Sequence, residues 1–227
     1  MNRSLIVKKY GMFVTGLVFA ALGISLITKA GLGTSPITSP AYVLTFLFPK
    51  SLGTFTFLIN SLMFVLEAVI LGKNFRKIQL LQLPATLIFS ACIDLWMFVF
   101  SFWHSDLYIG KLVLLLIGCT SLGLGIAFEV IPNVLILPGE GLVRAISQRM
   151  NWVFGHVKTT FDLGLVASAA LLSFLTRGEL LGIREGTVIA ALIVGTIANF
   201  FIRRISALPA CQKHRAAALR CESPSEV

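Results

Sequence analysis

Six apolar runs, at residues 11–28, 54–72, 79–101, 111–131, 157–176 and 187–202, constrain this chain more than any other feature. Each is close to the length that crosses about 30 Å of hydrocarbon when wound as helix. In hydrocarbon every backbone N–H must be satisfied within the protein, which leaves helices and closed barrels. The runs lack the two-residue alternation of barrel strands. The expected fold class is therefore all-α, a polytopic membrane protein of about six transmembrane helices. Composition agrees. With 56% hydrophobic and 13% charged residues, against about 45–50% and 25% in soluble domains, the chain cannot cover itself with polar groups in water. The whole of 1–227 reads as one integral membrane domain, since no stretch is polar enough for a separate soluble one.

The net charge of +9 does not point to nucleic acid, because no basic face remains once the spans are placed. Assigned loop by loop, fourteen Lys and Arg fall on one side and five on the other. The positive-inside rule then puts both termini in the cytoplasm of a bacterial plasma membrane. An even number of spans agrees, since it puts both termini on one side. Lys8 and Lys9 before the first run resemble a signal peptide, but the run is long and no A-x-A cleavage site follows, so it is expected to be retained. Cys92 and Cys119 lie in spans, while Cys211 and Cys221 lie in the basic tail 206–227. Without a CxxC pattern they support neither a disulfide framework nor a metal site.

Sliding the sequence along itself by 102 positions aligns its two halves without a gap. Gly16 meets Gly118, Leu22-Gly23-Ile24 meets Leu124-Gly125-Ile126, and Pro36 meets Pro138. Gly53 meets Gly155, Asn60 meets Asp162, and Phe98 meets Phe200. Repeat one covers about 8–103 and repeat two about 110–205. Three spans per repeat is odd, so the second copy enters the membrane from the opposite side. Inverted repeats of this kind underlie many secondary transporters, where two like halves exchange conformations.

Residues 31–53 are too apolar for an exposed loop and too interrupted for one straight helix. Ser35 suits an N-cap and Pro36 the first helical position, so a short helix is expected from Pro36 until near Pro49. In the second half Pro138 would open a helix with Glu140 in its first turn, where the macrodipole favours a carboxylate. Such interrupted or re-entrant helices often face a substrate near the midplane, and free N–H groups there suit an anion or a carbonyl-rich ligand. The competing reading makes both segments interfacial helices on the membrane surface.

Ionisable groups at membrane depth are costly and become functional candidates by default. Asn60 and Asp162 are symmetry mates, and Lys158 lies one turn before Asp162, within ion-pair reach. Asp94 is a further candidate, although Thr196 stands at its symmetric position. The candidate substrate-binding set is thus Thr34, Ser35, Pro36, Asn60, Asp94, Pro138, Gly139, Glu140, Lys158 and Asp162. Glu67 is expected to snorkel near Lys73, and Glu129 to face the inner interface. Gly16, Gly23, Gly118, Gly123 and Gly125 suit close helix packing. Trp96, Trp103, Tyr108 and Trp152 fall where interface anchors belong.

GLGTSP at 31–36, PGEGL at 138–142 and FGHVKTTFD at 154–162 together resemble the bacterial YczE/YyaS/YitT membrane protein family, its YczE branch most of all. The resemblance spans about residues 8–205. It implies a multi-spanning plasma-membrane protein and adds little about a substrate.

The leading expectation is a small secondary transporter of a small solute. The alternative is a non-transporting membrane scaffold or regulator. Enzyme chemistry has no support: His104, His156 and His214 pair with no Ser, Cys or second His at useful spacing, and no HExxH, GxSxG or Walker pattern occurs. No catalytic residue, metal or cofactor is expected. The expected partners are the lipid bilayer and a small molecule, and a homodimer is compatible with so small a chain.

Overall fold

The computed structural model describes residues 3–103 and 107–207. Most of the basic tail, with Cys211, Cys221 and His214, and also His104, lies outside the described residues. Among the described residues the elements are eight α-helices. They are α1 (Arg3–Lys29), α2 (Ser39–Leu47), α3 (Leu52–Leu71), α4 (Gln82–Val99), α5 (Tyr108–Val130), α6 (Pro138–Met150), α7 (Phe154–Arg177) and α8 (Glu185–Ser206). Single 3-10 turns precede α2 (Pro36–Thr38), follow α3 (Gly72–Asn74) and lead into α4 (Lys77–Leu81).

Six helical stretches are long and apolar enough to cross a membrane, each 22 or 23 residues. At 1.5 Å per residue that is about 34 Å, enough to span. The outer surface agrees. Leu58, Leu62, Val65 and Val69 of α3 recur at helical spacing and are all more than half exposed. A stripe like that is unfavourable in water and costs nothing against lipid tails. The chain is a multi-pass membrane protein.

The core is the antiparallel pair α1 and α5, and its glycines explain how close the two helices come. A Cβ on Gly16 would stand 2.9 Å from the Gly125 carbonyl oxygen, and one on Gly23 would stand 2.7 Å from that of Gly118. These two contacts are the same contact seen twice, because Gly16 is the counterpart of Gly118 and Gly23 that of Gly125. Between them the Ser121 hydroxyl donates to the Phe19 carbonyl at 2.9 Å. Phe19 and Ser121 are themselves counterparts, 102 residues apart. A residue touches its own counterpart only at a two-fold axis, so the pseudo-symmetry axis of the inverted repeat crosses the α1–α5 seam here. Gly123 turns the other way: a Cβ there would meet Ile197 of α8 at 2.6 Å.

The outer helices follow the same symmetry with one exception. α4 packs on α1 as α8 packs on α5, and each short helix lies against the long helix of the opposite repeat, α2 on α7 and α6 on α3. α3 also packs along α4, yet their counterparts α7 and α8 scarcely touch among the described residues. The short helices are not surface-lying. Ser39, Ala41 and Val43 of α2 and Leu142, Val143 and Ala145 of α6 are buried, while Phe48 and Met150 at their far ends are exposed. That overturns the interfacial reading. Trp103, Tyr108 and Trp152 are exposed as anchors should be, but Trp96 is half-buried and stacks on Phe100.

Candidate functional site

A cavity of about 940 Å³ straddles the two-fold axis and takes wall residues from both repeats. Six counterpart pairs line it: Ala20 with Leu122, Ile24 with Ile126, Ser35 with Leu137, Ile37 with Gly139, Asn60 with Asp162, and Phe89 with Ala191. The breaks before α2 and α6 therefore do meet at one site, through Ser35, Pro36, Gly139 and Glu140. One face of α6 continues the wall with Arg144, Ser147 and Gln148, and α8 contributes Ala190, Val194, Ala198 and Asn199. The cavity reaches Val130 and Ile202, near the C-terminal ends of α5 and α8. No lining residue comes from the start of α3 or the end of α4.

The two breaks are built differently. In the first, hydroxyls close on one another. Thr34 Oγ1 lies 3.0 Å from Thr28 Oγ1 and 2.9 Å from Thr38 Oγ1, and the Thr34 N–H donates to Thr187 of α8. Thr34 is fully buried and holds the break shut without lining the cavity. Ser35 does not cap the helix; its hydroxyl pairs with Thr38 at 2.8 Å. In the second break Ile136 and Leu137 stand where Thr34 and Ser35 stand in the first, and Glu140 where Thr38 does. Pro138 is buried behind the wall and serves only to start α6.

The helix starts offer fewer bare N–H groups than the sequence led us to expect. Thr38 N–H donates to Ser35 O, and both Glu140 and Gly141 N–H donate to Leu137 O. The remaining partial positive charge at the start of α6 is met by the Glu140 carboxylate itself.

Asn60 and Asp162 both line the cavity, each with a partner one turn back. Asn60 Nδ2 donates to the Thr56 carbonyl at 2.9 Å, and Lys158 Nζ donates to Asp162 Oδ1 at 2.8 Å. Asp94 is absent from the wall. Its Oδ2 accepts from the Ser51 hydroxyl at 2.6 Å and its Oδ1 from the Gly53 N–H at 2.7 Å. Ser51 is the N-cap of α3. Asp94 therefore fastens the end of α4 to the start of α3, where a helix N-terminus favours a carboxylate. Gly53 permits the approach, since a Cβ there would meet the Asp94 carboxylate at 2.6 Å. The corresponding positions in the second repeat are Val153, which makes no side-chain cap, and Thr196, whose hydroxyl turns to its own helix at Leu192 O. Val153 and Thr196 do not fasten α7 to α8 as Ser51 and Asp94 fasten α3 to α4.

The profile of a family of unknown function, DUF6198, matches residues 7–203. This chain belongs to the DUF6198 family. A relative in Bacillus subtilis (strain 168), "Uncharacterized protein YyaS", is 30% identical over 145 residues, or 62% of this chain and 71% of the relative. The expected resemblance to YyaS-type proteins is thereby shown. No solved structure matches the chain.

Sequence reasoning missed two acidic residues of this DUF6198 protein. Glu129 does not face an interface: it is 5% exposed, lines the cavity, and its Oε1 has no hydrogen-bond partner. Glu67 does not snorkel: it is 1% exposed and accepts from Gln79 and Gln82 at 2.9 and 3.3 Å. Its other oxygen faces Gly141 of α6, where a Cβ would stand 2.5 Å away. With Gln79, Gln82, Arg144 and Gln148 it lines a second, more polar cavity of about 690 Å³ beside the first. Both residues lie near span ends, where hydropathy alone does not separate a snorkelling carboxylate from a buried one.

Proposed function

We propose that this protein is a secondary transporter of a small solute across the bacterial plasma membrane, with the axial cavity as its substrate site. The observation that carries the reading is a mostly aliphatic cavity on the pseudo-two-fold axis, walled by counterpart residues of two inverted repeats. A solute on that axis meets similar walls from either side of the membrane, which is what alternating access requires. A scaffold acting only through its surface has no need of a cavity of about 940 Å³ at its centre.

The asymmetry of the outer helices supplies the conformational step. On the loop charges, the Asp94–Ser51–Gly53 clamp lies at the outer face and the gap between α7 and α8 at the cytoplasmic face. The structure then corresponds to an inward-facing state. Its mirror image would have α7 packed on α8 and the clamp released. The test is reconstitution of the full chain in liposomes, with a small-molecule screen by thermal unfolding in detergent beforehand. Transport predicts compounds that raise the unfolding temperature and that accumulate in vesicles. A screen without a stabilising compound, together with vesicles that move no solute, removes the reading.

A further inference from the structure

We propose that the axial cavity selects a small organic cation with an apolar body, an amine or quaternary ammonium class of solute, and that Glu129 is the carboxylate that receives it. This rests on the transporter reading and names the substrate class for the same site.

Glu129 closes one wall of the cavity from α5, more than nine-tenths buried, with Oε1 paired to nothing in the protein. A buried ionised carboxylate needs a partner, either a proton or a cation. Among the described residues no basic side chain forms an ion pair with it. Besides Glu129, the charged groups that line the cavity are Glu140 and Arg144 from α6 and Lys158 and Asp162 from α7, whereas α1, α3, α4 and α8 line it with none. Lys158 is held by Asp162 at 2.8 Å. Glu140, a like charge, is within electrostatic range of Glu129. The cavity thus holds three carboxylates against two basic groups, and one of those two is already paired.

The rest of the wall describes the rest of the ligand. Ala20, Ile24, Leu122, Ile126, Ala190 and Val194 are aliphatic and suit an apolar body beside the charged head. Because a proton and an organic cation would occupy the same carboxylate, each should displace the other.

The experiment uses the purified full chain in detergent and three cations: tetraphenylphosphonium, benzyltrimethylammonium and phenethylamine. Tetraphenylborate serves as the shape-matched anion. At least one cation is expected to raise the unfolding temperature in a saturable way, more strongly as pH rises, with no such effect from the anion. Glu129→Gln should weaken that binding at least tenfold, while Glu179→Gln, an exposed carboxylate outside the cavity, should not change it. If Glu129→Gln does not fold, wild-type protein answers instead. The bound cation should protect Glu129 from dicyclohexylcarbodiimide, read by peptide mass spectrometry. No shift with any of the three cations, equal binding of the anion, or unchanged binding by Glu129→Gln overturns the proposal. Flux in vesicles separates the two readings. Uptake of anionic or neutral solutes alone keeps the transporter and removes the cation. Cation binding to Glu129 without any flux keeps the site and removes the transporter.

Discussion

α3 and α4 are tied together at one end of the molecule; α7 and α8, built from corresponding stretches of the second repeat, stand apart. The difference lies in a few polar atoms. Ser51, Gly53 and Asp94 make two charge-assisted hydrogen bonds across the first pair. Val153 and Thr196 make none across the second. Corresponding helix pairs thus pack differently, and the bonds at their ends differ with them. On the transporter proposal, these two arrangements are the ones the pairs would exchange.

The most damaging change would strike both regions alike. Gly23→Leu would place a side chain against the Gly118 carbonyl and the Leu122 backbone, neither of which can move away. We expect a loss of about 3 kcal/mol or more, read as a collapse of the monodisperse peak in size-exclusion chromatography. An exposed leucine at Gly164, where a Cβ meets nothing, should leave the peak intact.

Asp94→Ala should act on one region only. Loss of both bonds is expected to cost about 2 kcal/mol and to free α4 from α3. Alkylation of half-buried Cys92 should then accelerate, followed by mass spectrometry. An unchanged rate would mean that the clamp does not hold the pair.

The converse experiment builds the missing clamp. Val153→Ser with Thr196→Asp should draw α7 towards α8 with a bias of about 1 kcal/mol. Spin labels at Thr160 and Phe200 should move closer, and entry of the cation probe should slow. Equal distances with and without the double change would show that the gap has another cause.

Lys158→Met is the mildest. Its ion pair is about a quarter exposed on both sides, so stability should fall by only about 0.5 kcal/mol. The freed Asp162 adds negative charge to the cavity, and cation binding should tighten. Weaker binding would place Lys158 itself against the ligand.

Much of this was visible in the residue order. The six spans follow from apolar runs, and the inverted repeat from glycines and prolines at one offset, because rare residues mark backbone contacts that no other residue tolerates. Asn60, Lys158 and Asp162 were found as cavity residues since polar groups at membrane depth are rare, and Ser35, Pro36, Gly139 and Glu140 since they stand at the two helix starts. Asp94 was singled out as an ionisable group within a span, but it lies outside the cavity wall and is bonded to the start of α3. Whether a carboxylate meets a ligand or a helix start depends on the neighbouring helix, and Ser51 lies 43 residues away in the chain. Glu67 and Glu129 were missed for the related reason that span ends look alike in hydropathy.

The sequence by itself determined the helices, their number and the head-to-tail relation of the two halves, because these depend on local apolarity and on positions that must be glycine or proline. The tertiary structure alone decided that Glu129 is buried without a partner, that the first break is sealed by hydroxyls, and that α7 stands off from α8. Those outcomes depend on which side chains meet across tens or hundreds of residues, and a hydrogen bond is settled by distances of a few ångströms that no linear pattern encodes.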